Sequence, residues 1–219
     1  GPCSPRGGGA GVSGRAMKAV PYGSVEYWSS RYDDEERDKP GGGFEWYPGA
    51  DDIVVDLLSK LGGYDDGFEA LEIGSGSSEL AAKLAASFAG SHVILSDFAE
   101  NVVHRMRERL GGKDLEFHVV DCCRMAYRDG AFDLVVDKGT LDAVDCGDDD
   151  GARTSCLAEV RRGLSVEKGI YVLVSCREPS WRRRDFGELF EEVLVEEIRA
   201  EGTAKSCPAD HFLYVLRRK

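Results

Sequence analysis

The 219-residue chain contains no apolar run approaching the roughly 18 residues of a membrane span, and no signal-peptide core. A cytoplasmic protein with no membrane partner is expected. It also lacks an excess of cations: 28 Lys and Arg against 40 Asp and Glu leave a net charge of −12, with a pI of about 4.9. Such a field disfavours non-specific binding to nucleic acid, so no nucleic-acid partner is expected. It suits a basic protein partner, or serves solubility alone. No C-x-x-C pair occurs among the seven cysteines. Cys122 and Cys123 are adjacent, which suits neither an easy disulfide nor a zinc knuckle, so reduced thiols are expected. The histidines His92, His104, His118 and His211 show no metal-ligand spacing with one another or with the cysteines, and no metal is expected. There is no internal repeat.

What is present is the composition of one soluble globular unit, with 42% hydrophobic residues. Residues 1–16, "GPCSPRGGGAGVSGRA", are Gly-rich, without acids, and read as a disordered tail. Its opening Gly-Pro reads as a protease scar, its Arg and Ser leave a transit peptide open, and Met17 is an alternative start. Residues 17–219 are expected to form a single domain, with a lid and helix over 22–65 and a core over 66–219. In the first part, Asp51 or Asp52 is placed to cap a helix carrying Ile53, Val54, Leu57, Leu58 and Leu61, which Gly62-Gly63 would stop.

Beyond Gly63 the chain alternates. Strands are expected at 69–73, 92–96, 115–120, 132–136, 169–175, 193–199 and 211–217, and helices at 78–89, 99–110, 153–164 and 181–191. This predicts an α/β fold: a doubly wound, Rossmann-like seven-stranded sheet with helices on both faces. The last two strands are separated by loop chemistry, "AEGTAKSCPAD", and should form a terminal antiparallel β-hairpin with an antiparallel edge strand.

Ligands of such sheets bind at the carboxyl ends of the strands. The first loop there is "GSGSS", with Gly74 and Gly76 opening a helix. A dinucleotide fingerprint would place a third glycine where Glu79 stands, and that carboxylate would repel a pyrophosphate. No Gly-Lys-Ser/Thr follows, which excludes a P-loop. Acids recur instead: Glu72 before the turn, Asp97 ending the next strand about 20 residues on, and Asp121 ending the third. A carboxylate at the second position can accept both ribose hydroxyls, and the third can meet an adenine edge. A cofactor without phosphate but with an ammonium tolerates these neighbours, which points to S-adenosylmethionine. Singly, each acid is as readily a turn or cap residue.

With those residues placed, the chain resembles class I, seven-stranded S-adenosylmethionine-dependent methyltransferases. More narrowly, it resembles the methyltransferase-like group that methylates lysines of translation elongation factor 1-alpha. The resemblance rests on "EYWSSRY" (26–32), "FEWY" (44–47), "GSGSSELA" (74–81) with "SDFAENVV" (96–103), and "FDLVVDKGTLDAV" (132–144). It implies that Trp28, Tyr32 and Trp46 form an aromatic lid over the cofactor and that Gly74 contacts its methionine part. It further places Asp97 and Phe98 at ribose and adenine, Asp121 and Cys122 beside the adenine ring, and Lys138 beside the bound cofactor. The three lid aromatics also read as plain core residues, although their faces would attract a cation.

The implied activity is protein-lysine N-methylation, on elongation factor 1-alpha or a similar basic protein. Alternatives are a small-molecule methyltransferase on the same fold and a non-catalytic methyltransferase-like partner. The Asp/Asn-Pro-Pro-aromatic loop of adenine or glutamine methylation is absent, since "DKGTLD" stands in its place. A lysine amine beside a sulfonium, in a partly dry aromatic site, is driven towards its neutral form, so no dedicated base is required and no catalytic residue is assigned. Asp137, Asp142 and Asp145 could orient the amine, or Asp142 could only cap a turn. The acidic stretch Asp142–Asp150 is expected to attract a basic surface, and "WRRR" (181–184) to be a solvated face.

Overall fold

The computed structural model describes residues 20–63, 67–111, 114–147, 151–199 and 210–219. The Gly-rich segment 1–16, the run 148–150 and the loop 200–209 joining the last two strands lie outside these. Two helices precede the sheet, α1 (Val25–Asp38) and α2 (Ala50–Leu61). There follow β1 (Glu69–Ile73), α3 (Leu80–Ser87), β2 (His92–Asp97), α4 (Glu100–Leu110), β3 (Leu115–Val119), β4 (Leu134–Lys138) and α5 (Thr140–Asp145). The chain then continues through α6 (Ala152–Gly163), β5 (Ile170–Ser175), α7 (Pro179–Phe186), β6 (Phe190–Arg199) and β7 (Asp210–Arg218).

The seven strands form one sheet in the order β3-β2-β1-β4-β5-β7-β6. β1 to β5 pair in parallel, β7 runs antiparallel to β5, and β6 pairs antiparallel with β7. The doubly wound fold and terminal hairpin are as the sequence predicts. One detail differs: the antiparallel strand is β7, second from the edge, because the hairpin folds back and inserts its second arm beside β5.

Both faces of the central parallel strands are buried, while β3 at the edge is partly exposed, and successive residues feed two cores. In β5, Ile170, Val172 and Val174 join the core that holds α1 to α4, while Tyr171 and Leu173 join the core beneath α6. This explains why these strands read as continuous apolar runs.

Four local expectations change. Strand four lies at 134–138, two residues later than expected, because Phe132 only bridges Leu164. The helix expected at 181–191 starts earlier, with Pro179 in its first turn, and stops at Phe186 before Gly187, leaving Phe190 to begin β6. α2 is entered at Gly49 without a side-chain cap, so Asp51 and Asp52 sit in its first turn. Last, Cys122, Cys123, Cys156 and Cys176 are free thiols as expected, but Cys146 is disulfide-bonded. Among the described residues, no helix is long and apolar enough to cross a membrane.

Candidate active site

The strand order reverses between β1 and β4, and a cavity of about 510 Å³ opens there at the carboxyl ends of the strands. Trp28, Tyr32 and Trp46, from the segment ahead of the sheet, line it. So do Gly74 and Gly76 after β1, Asp97 and Phe98 at the end of β2, Asp121 and Cys122 after β3, and Lys138 at the end of β4. Residues spread over more than a hundred positions of sequence thus share one wall.

Gly74 and Gly76 hold left-handed backbone, with φ of 55° and 54°. A side chain at Gly74 would run into Thr140, whose hydroxyl donates to the Ile73 carbonyl at 2.8 Å. One at Gly76 would come within 2.8 Å of the Tyr32 hydroxyl. Conformation and close packing therefore both require glycine here. Between them, Ser75 lines the cavity with a buried hydroxyl that has no hydrogen-bond partner among the described residues.

The Asp97 carboxylate, 2% exposed, accepts the amides of Gly76 and Ala99 at 2.9 Å each. The Tyr32 hydroxyl lies 3.5 Å away. Burial raises the Asp97 pKa to about 6 against the pull of those amides. Glu72, on β1 two residues before Gly74, is also buried, accepts the Ala81 amide at 3.0 Å, and is pushed up to about 7 by burial. Asp121 is exposed, and one of its oxygens accepts the Cys123 amide at 2.9 Å, as a turn residue does.

Trp28 and Tyr32 stand one turn apart on α1, their rings 5.7 Å apart, and Trp46 meets Trp28 edge-on at 6.3 Å. Ser24 caps α1 by accepting the Tyr27 amide. Arg105 and Asn101 of α4 clamp the helix by donating to the carbonyls of Tyr32 and Ser29, each at 2.8 Å. The core reading and the lid reading are thus compatible: the same rings pack into the core and line the cavity.

Lys138 is buried, and its ammonium pairs with Glu45 and, at 2.6 Å, with Asp51. Burial alone would lower its pKa, but Glu45, Asp51 and Glu72 outweigh that and raise it. It therefore ties the segment ahead of the sheet to β4. The lining contains Glu35, Glu45, Asp97 and Asp121, and its one cation among the described residues is this already paired lysine. That charge pattern suits a cationic ligand without phosphate. With the tight glycine turn and the unpartnered Ser75 hydroxyl, it fits S-adenosylmethionine.

Asp137 on β4 and the two acids of α5, Asp142 and Asp145, do not face the cavity. Asp137, fully buried, accepts the Thr140 amide at 2.7 Å and the Tyr171 hydroxyl at 2.9 Å, capping α5, and burial raises its pKa to about 7. Asp142, also fully buried, accepts from the Tyr47 hydroxyl at 2.5 Å, Ser175 at 2.7 Å, the Cys176 amide at 2.9 Å and Arg182 at 2.5 Å. Asp145 pairs with Arg182 at 2.7 Å. Hence Asp142 and Asp145 are withdrawn from any acidic docking surface, and Arg182, expected to be solvated, is fully buried. Sequence reasoning missed Glu35, Glu45, Ser75, Tyr47 and Arg182. Only Glu35 had a local signal: it stands one turn beyond Arg31, its ion-pair partner at 2.9 Å, on a helix marked by the spacing of Trp28 and Tyr32.

A family model described as a methyltransferase domain matches residues 64–215. EEF1A lysine methyltransferase 4 of Mus musculus is 30% identical over 183 residues, 78% of this chain and 68% of that protein. The chain belongs to the methyltransferase-domain family. Its sheet is that of the class I, seven-stranded methyltransferases. The eEF1A lysine and N-terminal methyltransferase of Mus musculus is also 30% identical to this methyltransferase, over 191 residues. That match covers 84% of the chain, which spans only about a quarter (26%) of that relative's length. Among solved structures, the 1,6-didemethyltoxoflavin-N1-methyltransferase of Burkholderia thailandensis, with bound S-adenosylhomocysteine, matches the methyltransferase with a TM-score of 0.68. It covers 95% of this chain and 93% of its own at 15% identity, a likeness of fold.

Proposed function

We propose that this methyltransferase is a protein-lysine N-methyltransferase acting on a basic protein surface, with translation elongation factor 1-alpha as the first candidate. The observation that carries the reading is the 30% identity, over most of the chain, to relatives named for eEF1A lysine methylation. The net charge of −12 supports a basic partner and no part for nucleic acid. A cytoplasmic location, with no membrane partner, goes with that substrate. Residues 17–219 would act as one methyltransferase domain, in which 22–65 cover the core formed by 66–219.

In this reading, Gly74, Gly76 and Ser75 hold the methionine end of the cofactor. Asp97 accepts the ribose hydroxyls with oxygen lone pairs left free by the Gly76 and Ala99 amides. Phe98, Asp121 and Cys122 border the adenine. When bound, S-adenosylmethionine supplies a methyl group on a sulfonium and leaves as the neutral S-adenosylhomocysteine. The chain's own part is to position a lysine amine and shut out water. Trp28, Tyr32 and Trp46 offer aromatic faces to the incoming cation, and their apolar surroundings favour the neutral amine, whose proton passes to solvent. Lys138 fixes the cover through Glu45 and Asp51 and has no free charge with which to compete.

Labelled methyl transfer into a cell lysate, followed by mass spectrometry, tests the proposal. Label is expected on a lysine side chain of elongation factor 1-alpha. Label confined to a metabolite fraction or to nucleic acid would overturn the proposal, as would label on an N-terminal amine alone.

A further inference from the structure

Beside the cavity lies a cluster of sulfur that the methyl-transfer chemistry does not use. The turn after β3 carries Asp121, Cys122 and Cys123 in succession, and α6 brings Cys156 up from the core against them. All three thiols are free and interact with one another. The ligand atoms of Asp121, Cys122 and Cys123 lie within 4.8 Å of one another. Cys123 is fixed from two sides: its amide donates to Asp121 at 2.9 Å and its thiol to the Ala152 carbonyl at 3.3 Å. Cys156 is fully buried beneath, Cys122 and Cys123 are half-buried, and Asp121 is exposed. The cluster thus has a closed floor and an open mouth.

We propose that Asp121, Cys122 and Cys123, with Cys156 approaching from beneath, form a binding site for a single thiophilic divalent cation of the zinc and cadmium class. Three sulfurs and one carboxylate oxygen are a tetrahedral donor set that such ions accept. With zinc–sulfur bonds of about 2.3 Å, the sulfurs of a tetrahedral site stand about 3.8 Å apart, so Asp121, Cys122 and Cys123 need only draw together slightly, while Cys156 completes the set by moving up from beneath. The set escapes a search for C-x-x-C spacing because two donors are adjacent in sequence and the third comes from a helix more than thirty residues on. Each thiol yields its proton to solvent as its metal–sulfur bond forms, so uptake is accompanied by proton release.

The site shares Asp121, Cys122 and Cys123 with the cavity wall. A bound cation draws those side chains around itself and away from the cavity. Metal and cofactor therefore compete, and the ion acts as an inhibitor, not as a participant in methyl transfer.

The test is titration of the full chain under argon without added reductant, so that the Cys146 disulfide stays closed, with cadmium, following the ultraviolet charge-transfer absorbance of cadmium thiolate. One saturating equivalent is expected. Cys123→Ser and Cys156→Ser should each weaken binding at least tenfold, while Cys176→Ser, a free thiol elsewhere, keeps the stoichiometry and affinity. Should Cys156→Ser fail to fold, Cys123→Ser and Asp121→Asn, at less buried positions, carry the comparison. Saturating S-adenosylhomocysteine should weaken cadmium binding at least tenfold as well. Absence of a saturable charge-transfer signal, or affinity unchanged in both Cys123→Ser and Asp121→Asn, overturns the site. Simultaneous full binding of cadmium and S-adenosylhomocysteine overturns the competition.

Discussion

Arg182→Ala should lower folding stability by about 3–5 kcal/mol, the loss typical of removing one partner of a buried ion network. The guanidinium, with no exposed surface, bonds Asp142 at 2.5 Å, Asp145 at 2.7 Å and Asp185 at 3.0 Å, and its Nε donates to Ser175 at 3.0 Å. Its own pKa is raised because these carboxylates outweigh the burial that would lower it. Removing it leaves the Asp142 charge buried with only neutral donors. For a chain of this size the melting temperature should fall by roughly 6–20 °C. Lysine should not rescue it, since one ammonium cannot span the planar fork that reaches all three acids. Arg182→Met combined with Asp142→Asn should recover part of the loss by removing the orphaned charge. The effect reaches the site: Asp142 also accepts from the Tyr47 hydroxyl, so the segment carrying Trp46 loses an anchor. Thermal and urea unfolding measure this, and a loss under 1 kcal/mol in Arg182→Ala would refute the network's role.

Asp97→Ala should weaken S-adenosylhomocysteine binding by about 2–3 kcal/mol, on the order of 100-fold, if its carboxylate takes two ribose hydroxyls. Part of that loss would come through the turn, because the Gly76 amide also bonds to Asp97. Asp97→Asn, which keeps one oxygen acceptor, should fall between wild type and alanine. The pKa of about 6 adds a second signature. The ionised carboxylate is the form that accepts hydroxyl donors, so protonation opposes binding. Affinity in wild type should hold above pH 6 and decline as pH falls through about 6, and Asp97→Asn should lack that decline. Calorimetry across pH gives both readings, and an unchanged dissociation constant in folded Asp97→Ala would remove Asp97 from the site.

Which parts of this molecule were legible in its sequence follows from how far each interaction reaches along the chain. β2 and β5 announce themselves because parallel strands buried on both faces carry short continuous apolar runs, VIL in β2 and IYVLV in β5. The glycine turn is legible because its backbone conformation excludes other residues. α5 is not, being six residues long and entered through Gly139. The boundary of α7 and β6 is blurred because "GELFEEV" carries no periodicity that separates a helix end from an amphipathic edge strand. Polar partnerships were the least legible. Lys138 finds Asp51 and Glu45 across 87 and 93 positions, and the three arginines 182–184 look alike until the fold buries the first of them. The roles of Asp142 and Asp145 stayed open in the sequence for the same reason: Asp142 and Arg182 lie 40 positions apart and define each other.

The central claim is that the cavity between α1 and the carboxyl ends of the strands is the cofactor site, covered by the aromatic segment. Hydrogen exchange with and without saturating S-adenosylhomocysteine tests it most directly, because exchange reports local opening along the whole chain. The account predicts protection concentrated at residues 22–48, where Trp28, Tyr32 and Trp46 close the cavity, and at 74–78, 97–99 and 121–123. Equal exchange in those segments, or protection confined to other parts of the chain, would contradict it.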